Sequence, residues 1–205
     1  MNVEIPQFPE LTFDERSHIY RLDGLVVPSV TTIMQPLSRA HYGGIDQDVL
    51  ERAAERGTAV HQAIENLICF DILDISPEYE GYLEAYRAWV KDYNVKPFAS
   101  EMKTYHKTLR YAGTADLGCE ENGVNTLVDF KTTSSLVPML VGVQLEAYRR
   151  AQESHGIKYE NTVALQLRSD GTYRRITGSA LPPKAECWKV FGSLLNVAGF
   201  IEKYK

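Results

Sequence analysis

Gly113-Thr114-Ala115-Asp116-Leu117-Gly118-Cys119-Glu120-Glu121-Asn122-Gly123-Val124-Asn125-Thr126-Leu127-Val128-Asp129-Phe130-Lys131 decides the fold. Asn122-Gly123 is a strong two-residue hairpin signal, because both central residues of a type I′ turn take positive φ. With that turn setting the register, Glu121 faces Val124, Cys119 faces Thr126, and Asp116 faces Asp129. Opposed strand residues share one face with Cβ atoms about 4.5–5.5 Å apart, where two carboxylates repel. Lys131, two residues past Asp129, shares that face and can neutralise one of them; a divalent cation would satisfy both. The competing reading is a solvated ion-pair cluster on an exposed face, the commoner arrangement on pattern alone. The apolar run Leu127-Val128-Asp129-Phe130 weighs against it, since an unpaired aspartate in a central strand costs several kcal/mol or titrates to its neutral form.

Outward from this hairpin, period-two runs near 98–106, 109–119 and 124–131 predict three consecutive antiparallel strands. A helix over about 138–154 follows, then a hairpin of 161–167 and 173–177 around Asp170-Gly171, and a last helix over about 183–204. On the amino-terminal side, Asp23-Gly24 predicts a hairpin, and Ser29 a cap for a short helix. Apolar residues recur every three or four positions over 46–70, among them Val49, Leu50, Val60 and Ile64, which predicts a long amphipathic helix with His61 beside the stripe. Ser76-Pro77 opens another helix reaching about 93. This order predicts an α/β fold, a mixed central β-sheet flanked by helices.

The chain has 205 residues, 44% hydrophobic and 24% charged, enough for a core without disulfides or a structural metal. No repeat or flexible linker interrupts it. Residues 1–205 therefore read as a single domain: an amino-terminal hairpin and helices (1–95), a core (96–155), and a carboxyl-terminal hairpin and helix (156–205). A formal charge of −5 excludes a protein that coats nucleic acid by bulk charge. Cys69, Cys119 and Cys187 lie far apart, which argues against a zinc ribbon, a four-cysteine iron–sulfur cluster or a disulfide framework; all three read as buried small hydrophobes. Met1-Asn2-Val3-Glu4-Ile5-Pro6 lacks a signal-peptide pattern, and no eighteen apolar residues follow one another, so a cytoplasmic protein with no membrane partner is expected.

Four motifs in order resemble a known family. Gly57-x-x-x-His61, Gly113-x-x-Asp116, Asp129-x-Lys131 and Gln144-x-x-x-Tyr148 look like the series of RecB-like nucleases in the PD-(D/E)XK superfamily, over roughly residues 55–150. The run His18-x-Tyr20, Asp23-Gly24 and Pro28-Ser29-Val30-Thr31 is similar to the start of phage-encoded nucleases of this kind and of mitochondrial genome-maintenance exonucleases. The resemblance implies a restriction-endonuclease-like core and metal-dependent cleavage of DNA phosphodiesters. It implies Asp116, Asp129, the Phe130 carbonyl and His61 as metal ligands, Lys131 as the catalytic lysine, and Glu101, on the strand before the hairpin, as an acidic residue near the metal. Mg²⁺ suits the oxygen-rich set, and an imidazole ligand makes Mn²⁺ a credible activator; with only three cysteines, no iron–sulfur cluster is expected.

Each residue also has a plainer reading. His61 beside an apolar stripe is ordinarily a packed core residue, and Glu101 an edge-strand charge that blocks aggregation. Gln144 and Tyr148, one turn apart, would project toward the site and hold a phosphate or stack on a terminal base; otherwise they are amphipathic helix surface. Gly57 would let a strand or nucleotide approach closely. Lys103, Lys107, Arg110, Arg149 and Arg150 are the basic residues nearest the motifs that could track a backbone, and Tyr42, Tyr105 and Tyr111 could stack on bases. The expected function is a DNA exonuclease acting on single-stranded or duplex ends in phage-type recombination, repair or replication. A recombinase, single-strand-binding protein or helicase would be its partner. The alternatives are a non-cleaving DNA-binding or recombination-partner module and a dimeric endonuclease.

Overall fold

The structure, a computed structural model, describes residues 7–204. The signal-peptide reading of residues 1–6 lies outside the described residues. Three short strands, β1 (Leu11–Asp14), β2 (Ile19–Leu22) and β3 (Leu25–Val27), form an antiparallel sheet. The β2–β3 reversal uses Asp23 (φ 52°) and Gly24 (φ 78°), as the Asp-Gly pair predicts. β1 alternates apolar and polar residues (Leu11, Thr12, Phe13, Asp14) but is only four residues long, too short a run to stand out in the sequence; pairing with β2 makes it a strand.

Ser29 accepts a hydrogen bond from the Thr32 amide and starts α1 (Val30–Tyr42), which runs 13 residues rather than the short helix expected. Asp46 caps α2 (Gln47–Phe70). Burial on α2 falls on Val60, Ala63 and Ile64, while Val49 in its first turns is 49% exposed. The apolar stripe is therefore only half used. A 3₁₀ turn at Pro77–Tyr79 leads into α3 (Glu80–Asp92), whose Gly81 lies where a Cβ would meet the Ser169 carbonyl oxygen at 1.9 Å.

The main sheet orders as β4 (Lys96–Tyr105), β5 (Ala112–Glu121), β6 (Val124–Lys131), β7 (Asn161–Leu167) and β8 (Tyr173–Ile176). All neighbours are antiparallel except β6 and β7, which run parallel with α4 (Pro138–Glu153) as the crossover. Helix α5 (Lys184–Lys203) closes the chain. A mixed α/β sheet flanked by helices is what the element order predicts. On one face Met102, Ala115, Leu127 and Ala164 pack with residues of α1, α4 and α5. On the other, Leu117, Val128, Phe130 and Leu165 pack with Val60 and Ile64 of α2 and Tyr86 and Trp89 of α3. Each large side chain buried this way contributes about 1.5–3 kcal/mol relative to exposure. Cys119 and Cys187 are buried and free as expected, whereas Cys69 is only half-buried, because the end of α2 is covered on one side alone.

The amino-terminal sheet is tied to β5 by a hydrogen bond between the Tyr20 and Thr114 hydroxyls (2.8 Å) and by the Ala112 amide donating to the Pro28 carbonyl (3.0 Å). Among the described residues no helix is long and apolar enough to cross a membrane.

Candidate metal centre

The β5–β6 ladder runs from Glu121↔Val124 through Cys119↔Thr126 to Leu117↔Val128, the register set by Asn122 (φ 50°) and Gly123 (φ 85°). Counting places Asp116 opposite Asp129 as the next pair, but the ladder ends one step short. There the Asp116 Oδ2 accepts the Phe130 amide hydrogen at 2.6 Å, so a side chain takes the bond a strand carbonyl would otherwise receive. Alternation also breaks: Ala115 and Leu117, two residues apart, pack into opposite cores. β4 changes phase at the same level, between Ala99 and Met102, with Glu101 in the left-handed region (φ 45°). The two strands change phase together while keeping register, with Ser100↔Leu117 on one side and Met102↔Ala115 on the other; the register shift of this pair lies farther along, between Pro97 and Ala99. The simple picture of two aspartates standing side by side on a regular ladder is corrected here. Asp116 is turned out of phase, toward β6 and α2.

This shared change of phase brings Glu101 and Asp116 to His61. The His61 Nδ1 lies 3.7 Å from Glu101 Oε1 and 3.7 Å from Asp116 Oδ1. One ligand atom from each of the three residues lies within 4.8 Å of the others. On the far side of the ring, Nε2 is 3.2 Å from the Phe130 carbonyl oxygen, and the imidazole meets the Phe130 ring edge-on at 5.7 Å. The Phe130 carbonyl, expected as a metal ligand, here fixes the imidazole so that Nδ1 faces the carboxylates. Burial disfavours the imidazolium, but Asp116 and Glu101 outweigh it and push His61 up to about 9. Burial raises Asp116, and Glu101 adds to this; His61, Lys131 and the Phe130 amide oppose.

Asp129 stands apart from this trio and is held by Lys131, whose Nζ lies 2.5 Å from Oδ2. The contact is an ion pair rather than an aligned hydrogen bond, and neither carboxylate oxygen has a hydrogen-bond partner among the described residues. Burial pushes Asp129 up to about 6, with Lys131 opposing and Asp116 adding to the rise. Burial would strip the Lys131 proton, but Asp129 and Asp116 reverse this and keep it a cation. The other deeply buried acids are treated differently. Glu121 receives both Nε (2.7 Å) and Nη2 (2.5 Å) of Arg175, and Glu146 is gripped by Arg149 and Arg150. Among the described residues no arginine pairs with Asp116 or Asp129, and one imidazole and one lysine must answer three carboxylates. An oxygen-rich group with one nitrogen, short of positive charge, fits a metal ion.

Gln144 and Tyr148 share a face of α4 as expected, the Gln144 amide donating to the Tyr148 hydroxyl at 3.4 Å. Tyr148 is buried, and a Cβ on Gly113 would meet its ring at 2.7 Å, so Gly113 is the space this ring occupies. The ring cannot stack on a base; only the hydroxyl reaches toward Asp116 and Asp129, which help push its pKa well above the ordinary value after burial. Gly57 makes no close approach within the chain, since a Cβ there would sit 3.8 Å from the Thr132 hydroxyl, an ordinary contact.

The basic residues disperse. Arg149 and Arg150 are committed to Glu146 and Glu153, so neither tracks a backbone. Arg110 pairs with Asp23 (3.5 Å) and the Leu22 carbonyl, and the Lys107 backbone is tied to Ser154. Both lie several residues from Glu101 and Asp116 along strands rising about 3.3 Å per residue, away from the trio. Lys103, exposed two residues past Glu101, stays near it, with its ammonium 5.9 Å from the Phe13 ring centroid. Tyr105 bonds Glu10 and Tyr111 bonds the Ala147 carbonyl, both buried, so neither can stack on a base. The cation that sequence reasoning missed is Arg56. Half-buried on α2, it donates from Nε to the Thr132 hydroxyl (3.4 Å) and lies 5.9 Å from the Tyr82 ring centroid, with no carboxylate in ion-pair reach among the described residues. Its sequence signal is a charge on the apolar face of α2, one turn before buried Val60 and two before Ala63, a place where an arginine calls for a partner.

No protein-family model and no curated protein matches the chain. Among solved structures, the chain is similar to "Crystal structure of SSO0001" at 12% identity over 83% of this chain and 76% of that one, with a TM-score of 0.39, too loose a likeness to carry an argument.

Proposed function

We propose that the chain is a metal-dependent deoxyribonuclease of the RecB-like kind, with a restriction-endonuclease-like core, that hydrolyses phosphodiester bonds from DNA ends. The observation that carries this reading is the convergence of His61, Glu101 and Asp116 within 4.8 Å, beside a lysine held as a cation by Asp129. A bound Mg²⁺ or Mn²⁺ would neutralise phosphoryl charge and lower the pKa of a coordinated water. His61 Nδ1, Glu101 and Asp116 would hold it, with Asp129 close enough to raise the local negative charge.

The remaining steps belong to the chain's own groups. Lys131 keeps its proton, so it acts as a donor: it orients the attacking water and steadies negative charge developing on the phosphoryl oxygens. Asp129 fixes the ammonium for that task. The Phe130 carbonyl holds the His61 ring in one orientation, and the Asp116 bond to the Phe130 amide locks β5 against β6. Arg56, whose two terminal nitrogens pair with no carboxylate among the described residues, grips a neighbouring phosphate. Gln144 and the Tyr148 hydroxyl supply hydrogen bonds on the α4 side.

The test is cleavage of linear and covalently closed circular DNA, single- and double-stranded, by the full chain with Mg²⁺ or Mn²⁺. Loss of linear DNA alone is the expected result. Nicked circles would make it an endonuclease, and no cleavage with either metal would leave a DNA-binding or recombination-partner module.

A further inference from the structure

β6 ends where β5 has already parted from it, and the residues that follow alternate sides. Thr132 meets Arg56 near α2, while Lys131 and Thr133 line a cavity of about 150 Å³ between α1 and α4. Buried Met34, Leu140 and Val141 make its apolar wall, and half-exposed Tyr42, Gln144 and Lys131 supply polar groups. Lys131 belongs to both this cavity and the metal centre. A strand whose phosphate meets Lys131 therefore has its adjoining nucleoside over the cavity.

Size and chemistry narrow the occupant. An apolar cavity of this volume accepts a single six-membered ring. A purine, half as large again, would leave its second ring outside. Gln144 offers both a donor and an acceptor to a base edge, and burial keeps Tyr42 a phenol that can donate. A base that enters between two helices has left its partner strand, and extruding it from a duplex costs a few kcal/mol.

Resting on the nuclease reading above, we propose that this cavity receives an unpaired pyrimidine base next to the scissile phosphate, so that single-stranded pyrimidine ends are the favoured substrate class. The experiment measures binding and cleavage separately. Labelled dT, dC and dA homopolymers about ten nucleotides long are titrated with the full chain in EDTA and followed by fluorescence anisotropy. The pyrimidine strands are expected to bind at least about fivefold tighter than dA. Because dA strands stack on themselves, two variants decide the cause. Ser38→Phe and Val137→Phe fill the cavity from half-exposed positions and should bring dT to within about twofold of dA. Equal binding by the wild type, no binding at all, or a preference that survives both variants overturns the pocket. The same strands are then incubated with Mn²⁺. A pyrimidine preference in binding without cleavage leaves the pocket standing and removes the nuclease reading; cleavage without preference does the reverse.

Discussion

Asp129 is buried as deeply as Glu121, yet Glu121 has an arginine fork and a tryptophan N–H while Asp129 has one lysine. A single ammonium on a flexible stem leaves the carboxylate under-compensated, which is why Asp129 is pushed up to about 6. Lys131→Met should lower cleavage by about 10²–10³ while Mn²⁺ still binds, whereas Asp116→Asn should weaken both. Equal cleavage by wild type and Lys131→Met would remove the lysine from the reaction. The same variant strands a buried charge, so it should lose about 2–4 kcal/mol at pH 8 in EDTA. The loss should shrink at pH 5, where Asp129 takes up a proton in the folded state; urea midpoints at the two pH values check the sign. Arg56 makes a different demand, since among the described residues no carboxylate pairs with it. Arg56→Ala should raise KM for DNA with kcat within about threefold, and flatten the salt dependence of binding by about one unit of slope. An unchanged salt slope would leave Arg56 as packing against Tyr82.

The shared change of phase in β4 and β5 turns Glu101 and Asp116 toward α2, and it holds Glu101 at φ 45°, where a side chain is strained. Glycine ordinarily weakens a strand, but here it relieves that strain. Glu101→Gly should be more stable than Glu101→Ala by about 1 kcal/mol in chemical denaturation, while both lose metal affinity equally. On α2, Gly57→Ala meets only ordinary contact and should stabilise the helix by about 0.5–1 kcal/mol. If its cleavage also falls, the glycine serves an approaching strand; unchanged cleavage leaves it without such a role. The contrast with Gly81 shows what sequence can reveal. Both are helical glycines by pattern, yet only at Gly81 would a Cβ strike a carbonyl, and that depends on a turn nearly ninety residues away. Signals written in local backbone chemistry were legible: Asn122-Gly123 and Asp23-Gly24 as reversals, Ser29 as a cap, Pro138 as a helix start. The phase change at Asp116 was not, because a residue count assumes an unbroken pleat. Neither was the pairing of Arg56 with Thr132, which requires α2 to cross the end of β6.

At the scale of the molecule, the centre binds more protons folded than unfolded, and this sets how stability follows pH. His61 is raised from about 6.5 to about 9, so its contribution is fully present below about 6.5 and is lost as pH climbs through 9. Asp116 and Asp129 are raised as well, which makes stability fall further on going from acid toward neutral pH. In EDTA the chain should therefore be more stable at pH 6 than at pH 9.5, by about 2–3 kcal/mol from His61 alone. Cysteine and tyrosine ionisation also lowers stability at alkaline pH, so His61→Gln provides the comparison: it should lose the His61 share and keep the rest. A coordinating imidazole must give up its proton, and a metal that binds only the folded state stabilises it by mass action. Added Mn²⁺ should then raise the urea midpoint more at pH 8.5 than at pH 6.5, the reverse of the metal-free trend. An EDTA profile unchanged by His61→Gln would mean that His61 is not charged in the free protein, and an equal Mn²⁺ shift of the midpoint at both pH values would mean that it is not a ligand in the bound one.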